Sequence, residues 1–193
     1  LGVLGGGCDP PHVAHLAIAS EAVHAAGLSH VVCVPAAAPP HKDGEERTEA
    51  PVRLEMTSLA VDEDLHFSVS GVEIERGLVY TVDTLRAVRQ RYPDHRLVFI
   101  MGSDSLLQLG TGREPEKLIS RCALAVAPRP GDAPEQHAAA AERWGTNRVT
   151  ILDMPLLGVS SSDIRARVAA RRPIRYLVPR GVEQYIAETG LYR

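Results

Sequence analysis

Aromatic side chains are scarce in this chain of 193 residues: one Trp, two Phe and five Tyr, 4% in all. Val, Leu, Ile and Ala must therefore fill the interior, and any site that stacks a ring has few residues to draw on. Cysteine is scarce too. Cys8, Cys33 and Cys122 stand far apart with no C-x-x-C pair, which excludes a disulfide framework and fits a reducing compartment. No apolar run approaches the ~20 residues that cross a bilayer, and no basic segment leads into an apolar one at the start. Neither sign of charge dominates: 21 Lys and Arg against 24 Asp and Glu give a net charge of -3, which speaks against a dedicated nucleic-acid binder. The expectation is a soluble cytoplasmic protein without membrane or nucleic-acid partners, its oligomeric state left open.

What is present is a 45% hydrophobic chain long enough for one substantial core. Short branched runs at 1–4, 31–34, 97–101, 123–127 and 149–152 read as strands. Helical patterns lie between them at roughly 12–26, 51–62, 81–91, 134–143 and 161–171. Alternation of this kind predicts an α/β fold, a Rossmann-like parallel sheet flanked by helices, with ligands beyond the carboxyl ends of the strands. Residues 65–76 alternate and read as an extra strand or a connection. The expected organisation is a single domain over 1–193 with a small helical part from about 158. The Pro-rich, charged stretch 35–50 reads as a long functional loop.

The most unusual composition is LGGGCDPPHVAHL at 4–16. A strand ending near Leu4 would set Gly5, Gly6 and Gly7 at its carboxyl end, where glycine lets a ligand approach the backbone. Asp9 is expected to cap the following helix, with Pro10 or Pro11 in its first turn. Spare N–H groups and the positive helix end then form an anion site, and His12 and His15, three apart, share a face there. Two imidazoles beside such a site suit the charge that develops during phosphoryl or nucleotidyl transfer. H-x-x-H could instead ligate a metal, but no third ligand stands at a recognisable spacing, so no protein-held metal is expected. A second such element is GVSSSDIR at 158–165: Ser160 followed by Asp163 approximates a capping box, and Ser161, Ser162 and Arg165 fall in the first turn.

Together these two stretches resemble the G-G-T-F-D-P-x-H-x-G-H and I-S-S-T-x-I-R elements of the nucleotidyltransferase superfamily. More segments are similar to the bacterial nicotinate-nucleotide adenylyltransferase family: VPAAAPPHK at 34–42, LVYTVDTL at 78–85, FIMGSDSLLQL at 99–109, APRPG at 127–131 and the closing YLVPRGVEQYIAETGLYR. The resemblance implies transfer of AMP from ATP to nicotinate mononucleotide, with Mg²⁺ accompanying ATP. It implies that His12 and His15 contact the α- and β-phosphates and that Lys42, Ser160, Ser161, Ser162 and Arg165 hold the outer ones. Gly5, Gly6, Asp9, Gly102 and Asp104 would line the nucleotide, and Tyr80 and Thr81 would face the acceptor. The chain departs from the family pattern at Gly7, Cys8 and Ala14, and at Gly112, where the family places a Trp against the pyridine ring. The only Trp here is Trp144. Another phosphate or phosphonate acceptor, CTP in place of ATP, nicotinamide in place of nicotinate, and a non-catalytic nucleotide-binding protein all remain open at this stage.

Overall fold

The computed structural model describes residues 1–37 and 48–193. Six parallel strands form one sheet: β1 (Gly2–Gly6), β2 (Val31–Pro35), β3 (Phe67–Val69), β4 (Val98–Gly102), β5 (Ala123–Ala127) and β6 (Val149–Ile151), in the order β3-β2-β1-β4-β5-β6. The helices are α1 (Val13–Ala25), α2 (Ala50–Val61), α3 (Val72–Arg76), α4 (Thr81–Arg91), α5 (Ser103–Leu107), α6 (Pro115–Arg121), α7 (Pro134–Trp144), α8 (Ser161–Ala169) and α9 (Arg180–Thr189). This is the doubly wound order in which strand sequence reverses between the first and fourth strands, and a crevice opens there at the carboxyl edge.

Parallel strands must be covered on both faces, and alternation divides their side chains between two cores. Val3, Val34, Phe99, Met101 and Val126 face one way, against Leu85 of α4, Leu106 of α5, Leu118 of α6 and Ala141 of α7. Leu4, Cys33, Ile100 and Ala125 face the other, against Ala19 of α1, Met56 of α2, Ile164 of α8 and Val182 of α9. The buried side of α1 is alanine (Ala14, Ala19 and Ala22), so the helix lies close to the sheet. Ile164 is fully buried in the same core. That shared face sets the amino end of α8 beside the amino end of α1, although their sequences are far apart.

Several local expectations are corrected. β1 runs on through Gly5 to Gly6 instead of stopping at Leu4. The stretch 65–76 is not one element but β3 followed by the short α3. Between β4 and β5 the chain folds into α5, a 3-10 turn at Leu109–Thr111 and α6, none of which the periodicity indicated. These helices are five to seven residues long, below the length at which a repeating apolar stripe stands out.

Candidate functional site

The first helix start departs from expectation in its cap. His12, not Asp9, is the N-cap of α1, and Pro10 and Pro11 precede the helix instead of opening it. Asp9 is committed elsewhere. Its carboxylate accepts the Tyr192 hydroxyl at 2.6 Å and the Thr48 amide at 3.5 Å. The Tyr192 bond ties this loop to the far end of the chain, and no local spacing signals it.

His12 and His15 stack with ring centroids 3.8 Å apart. The His12 amide donates to His15 Nδ1 at 3.2 Å, which makes Nδ1 the acceptor and leaves the proton on Nε2. His15 Nε2 lies 3.9 Å from where a Gly6 Cβ would stand, so this N–H looks out over the carboxyl end of β1. His12 is buried, and its Nδ1 has no hydrogen-bond partner among the described residues. Burial, then the neighbouring His15, then Arg129 bring the His12 imidazole down to about 3. Burial and Arg129 bring His15 down to about 4. Both rings are neutral near pH 7, poised as N–H donors whose protonation an arriving anion would favour.

The second helix start behaves as its sequence predicts. Ser160 is the N-cap of α8 and its hydroxyl oxygen accepts the Asp163 amide at 3.1 Å. The Ser161 and Ser162 N–H groups, in the first turn, have no intrahelical acceptor. Two bonds fasten this turn to the first motif. The Ser161 hydroxyl donates to the Pro10 carbonyl at 2.8 Å, and Arg165 Nη1 donates to the Asp9 carbonyl at 2.9 Å. Arg165 Nη2 also reaches the Ser162 hydroxyl at 3.4 Å. Two stretches about 150 positions apart therefore meet as one surface.

On the other side of the crevice, Gly102 ends β4 and caps α5. A Cβ at Gly102 would stand 2.7 Å from Asp104 Oδ1 and 3.3 Å from Arg129 Nε, so a larger residue there would displace these two exposed side chains. Asp104 pairs with Arg129 at 3.0 Å. The loop bearing Arg129 is held by Asp132, whose Oδ2 accepts the Arg129 amide at 2.6 Å and the buried Ser103 hydroxyl at 2.5 Å. These bonds, the Ser103 hydroxyl first, hold the Asp132 carboxyl below its ordinary range.

At the proposed acceptor end, Tyr80 is the exposed N-cap of α4 and Thr81 its first residue. Thr84, one turn on, donates to Glu73 Oε1 at 2.6 Å, while Glu73 Oε2 accepts the Ala37 amide at 3.3 Å. Glu73 thus ties α4 to the carboxyl end of β2, and burial raises its carboxyl above the ordinary value. Lys42 lies outside the described residues, as does His41. Trp144 packs partly buried against the core at the end of α7.

Arg53 passed unnoticed in the sequence. It is 3% exposed and spends its guanidinium on three carbonyls: Gly7 at 2.8 Å, Thr48 at 3.0 Å and Ala37 at 3.2 Å. One cation pins the glycine turn and both flanks of the 38–47 stretch. A lone Arg on an otherwise apolar helical face was the available signal, because such a charge is buried only when fully paired. The departure at Cys8 is also explained: the residue is buried at φ 50°, its thiol pushed up to about 11 by burial, so it fills space and is not reactive.

The doubly wound sheet thus carries two linked helix starts at its switch point, one bearing paired imidazoles, an arrangement suited to a phosphate-bearing ligand. The family model described as cytidylyltransferase-like matches residues 3–167. A curated relative in Exiguobacterium sibiricum, named "Probable nicotinate-nucleotide adenylyltransferase", is 46% identical over 100% of this chain and 98% of its own. One of the same name in Thermus thermophilus is 43% identical, covering 100% of this chain and 99% of its own. A solved nicotinic acid mononucleotide adenylyltransferase of Plasmodium falciparum, complexed with NaAD, superposes with a TM-score of 0.80 at 19% identity, over 99% of this chain and 96% of its own. The chain belongs to the nicotinate-nucleotide adenylyltransferase family.

Proposed function

We propose that this protein transfers AMP from ATP to nicotinate mononucleotide, giving deamido-NAD and pyrophosphate. The observation that carries the reading is the fastening of the α8 start to the loop before α1, through Ser161 to Pro10 and Arg165 to Asp9. That junction gathers N–H donors and a guanidinium from two motifs around the switch point, an arrangement suited to one polyphosphate.

In this reading a phosphate oxygen of the acceptor attacks the α-phosphorus of ATP. The bond from α-phosphorus to the bridging oxygen breaks, and pyrophosphate leaves. The nucleophile is already anionic near neutral pH, so no general base is required. The protein's share is to hold two polyanions together and to offset charge on the transferring group. His15 serves through Nε2–H at the α-phosphate, with His12 stacked behind it and facing the β-phosphate. Arg165, Ser161, Ser162 and Ser160 serve the outer phosphates, joined by Lys42. Gly5, Gly6, Gly102 and Asp104 border the nucleoside, and Asp9 acts by holding the loop in place. Tyr80 and Thr81 face the acceptor. Mg²⁺ would accompany ATP and would offset charge on the transferring phosphates.

The test is a matrix of nucleoside triphosphates against acceptors, read by pyrophosphate formation. ATP with nicotinate mononucleotide should react fastest. If that pair is inert while CTP or another acceptor reacts, the substrate assignment fails.

A further inference from the structure

The edge of the sheet opposite the crevice carries a second concentration of positive charge. Arg96 stands two residues before β4, Arg121 two before β5 and Arg148 one before β6. These strands are successive neighbours in the sheet, with Val98 beside Ala123 and Leu124 beside Val149. Neighbouring strands lie about 5 Å apart, so the three arginines enter within roughly 10 Å of one another. A cavity of about 280 Å³ opens among them, lined also by Ser120 and Asn147 and by no carboxylate. Like charges on adjacent strands repel. None of the three makes an ion pair among the described residues, in a chain whose net charge is -3.

The end of α6 accounts for part of this cluster. Arg148 Nη1 donates to the Ile119 carbonyl at 2.9 Å, and Arg89 Nη2 reaches the Arg121 carbonyl at 3.4 Å. It does not account for Arg121 or Arg96. Arg121 Nε is shut off from water and has no hydrogen-bond partner among the described residues. A buried charged donor left in this way is costly, and an arriving acceptor would satisfy it. Arg96 is exposed, and its side chain makes no hydrogen bond among the described residues.

A guanidinium presents a planar fork of N–H donors that matches phosphate oxygens in pairs. Three forks spread over two strand spacings exceed the reach of one tetrahedral anion and suit linked phosphates. We infer that this edge is a second anion site, apart from the nucleotide crevice, which takes a pyrophosphate group, either free or bridging two nucleosides. Arg121 holds the group at the centre, with Arg96 and Arg148 on its flanks and Ser120 and Asn147 as neutral donors. The site uses no residue of the crevice, so it stands or falls independently of the acceptor assignment above.

An NMR titration of the full chain tests this, with the crevice first saturated by α,β-methylene ATP and inorganic pyrophosphate then added. The Arg121 Nε–H signal and the amides of Arg121, Cys122 and Arg148 should shift together along one saturating isotherm. Arg96→Gln and Arg121→Gln should each weaken that isotherm roughly tenfold, the worth of one charge-assisted hydrogen bond. Arg96→Gln removes an exposed side chain with no partner in the fold, so it keeps the test open if Arg121→Gln fails to fold. Inorganic phosphate should bind at least about tenfold more weakly than pyrophosphate, having half the oxygens to offer. A repeat with NAD separates the sources: tighter binding than pyrophosphate assigns the site to a dinucleotide, weaker binding to the free anion. The inference is overturned if pyrophosphate moves only crevice signals such as His15 Nε2–H. Equal affinity for phosphate and pyrophosphate, or an isotherm that Arg96→Gln leaves unchanged, overturns it as well.

Discussion

Acid should weaken this fold through two particular rings. Burial first, together with neighbouring positive charge, lowers His12 from 6.5 to about 3 and His15 from 6.5 to about 4. Both folded values lie below the unfolded one, so the unfolded chain takes up protons first as pH falls. The stability conferred by the neutral rings is complete above about pH 6.5 and drains away as pH drops toward the folded values. At pH 5 both rings remain neutral in the fold, while an unfolded histidine sits about 1.5 pH units above ambient; each ring then costs ~2 kcal/mol relative to pH 7, or ~4 kcal/mol for the pair. Against a total stability of about 5–15 kcal/mol that is a large fraction. The depressed carboxyls of Asp64, Glu114 and Asp132 lose their share in a lower window, below their ordinary values of 3.8 to 4.5. Urea unfolding of wild type and of the His12→Asn/His15→Asn double variant at pH 7, 6 and 5 isolates the effect. Wild type should lose ~4 kcal/mol more than the variant between pH 7 and 5. Parallel losses would mean that the rings titrate normally and are not held neutral by burial.

Three further outcomes follow from the same geometry. His15→Ala should lower kcat by about two orders of magnitude or more with the circular dichroism spectrum unchanged, as expected for loss of a donor to developing charge; near-normal turnover would remove His15 from the chemistry. Arg53→Met strands three carbonyls at Gly7, Thr48 and Ala37, and should cost roughly 3–5 kcal/mol by denaturant midpoint. Cys8, Cys33 and Cys122, buried with thiols raised to about 11, 12 and 11, should resist a thiol reagent at pH 8 in the native state and react together in urea. Native labelling of any one of them would contradict its burial.

The elements most legible in the sequence were those governed by local rules. The α8 cap could be read from Ser160 and Asp163, because a capping hydroxyl acts within three residues. The five principal strands stood out as short branched runs, and their alternation with helices gave the parallel sheet. What escaped depends on long-range closure. Asp9 looked like a cap because the sequence could not show Tyr192 reaching it from 183 residues away. Arg53 passed unnoticed because the three carbonyls it satisfies lie in two separate connections, Gly7 after β1 and Ala37 and Thr48 between β2 and α2. The Arg113 guanidinium lies over the Tyr80 ring only because the α5–α6 and α3–α4 connections meet, which no spacing encodes. Resemblance supplied the list of site residues; the hydrogen bonds supply a reason why α1 and α8, remote in sequence, stand together.

The central claim is that the starts of α1 and α8 serve one nucleotide, and a side-chain and amide NMR titration with α,β-methylene ATP tests it most directly. His15 Nε2–H from the first motif, and the Ser161 and Ser162 amides from the second, should shift along a single isotherm with one Kd. Shifts confined to one motif, or two motifs following separate affinities, would contradict it.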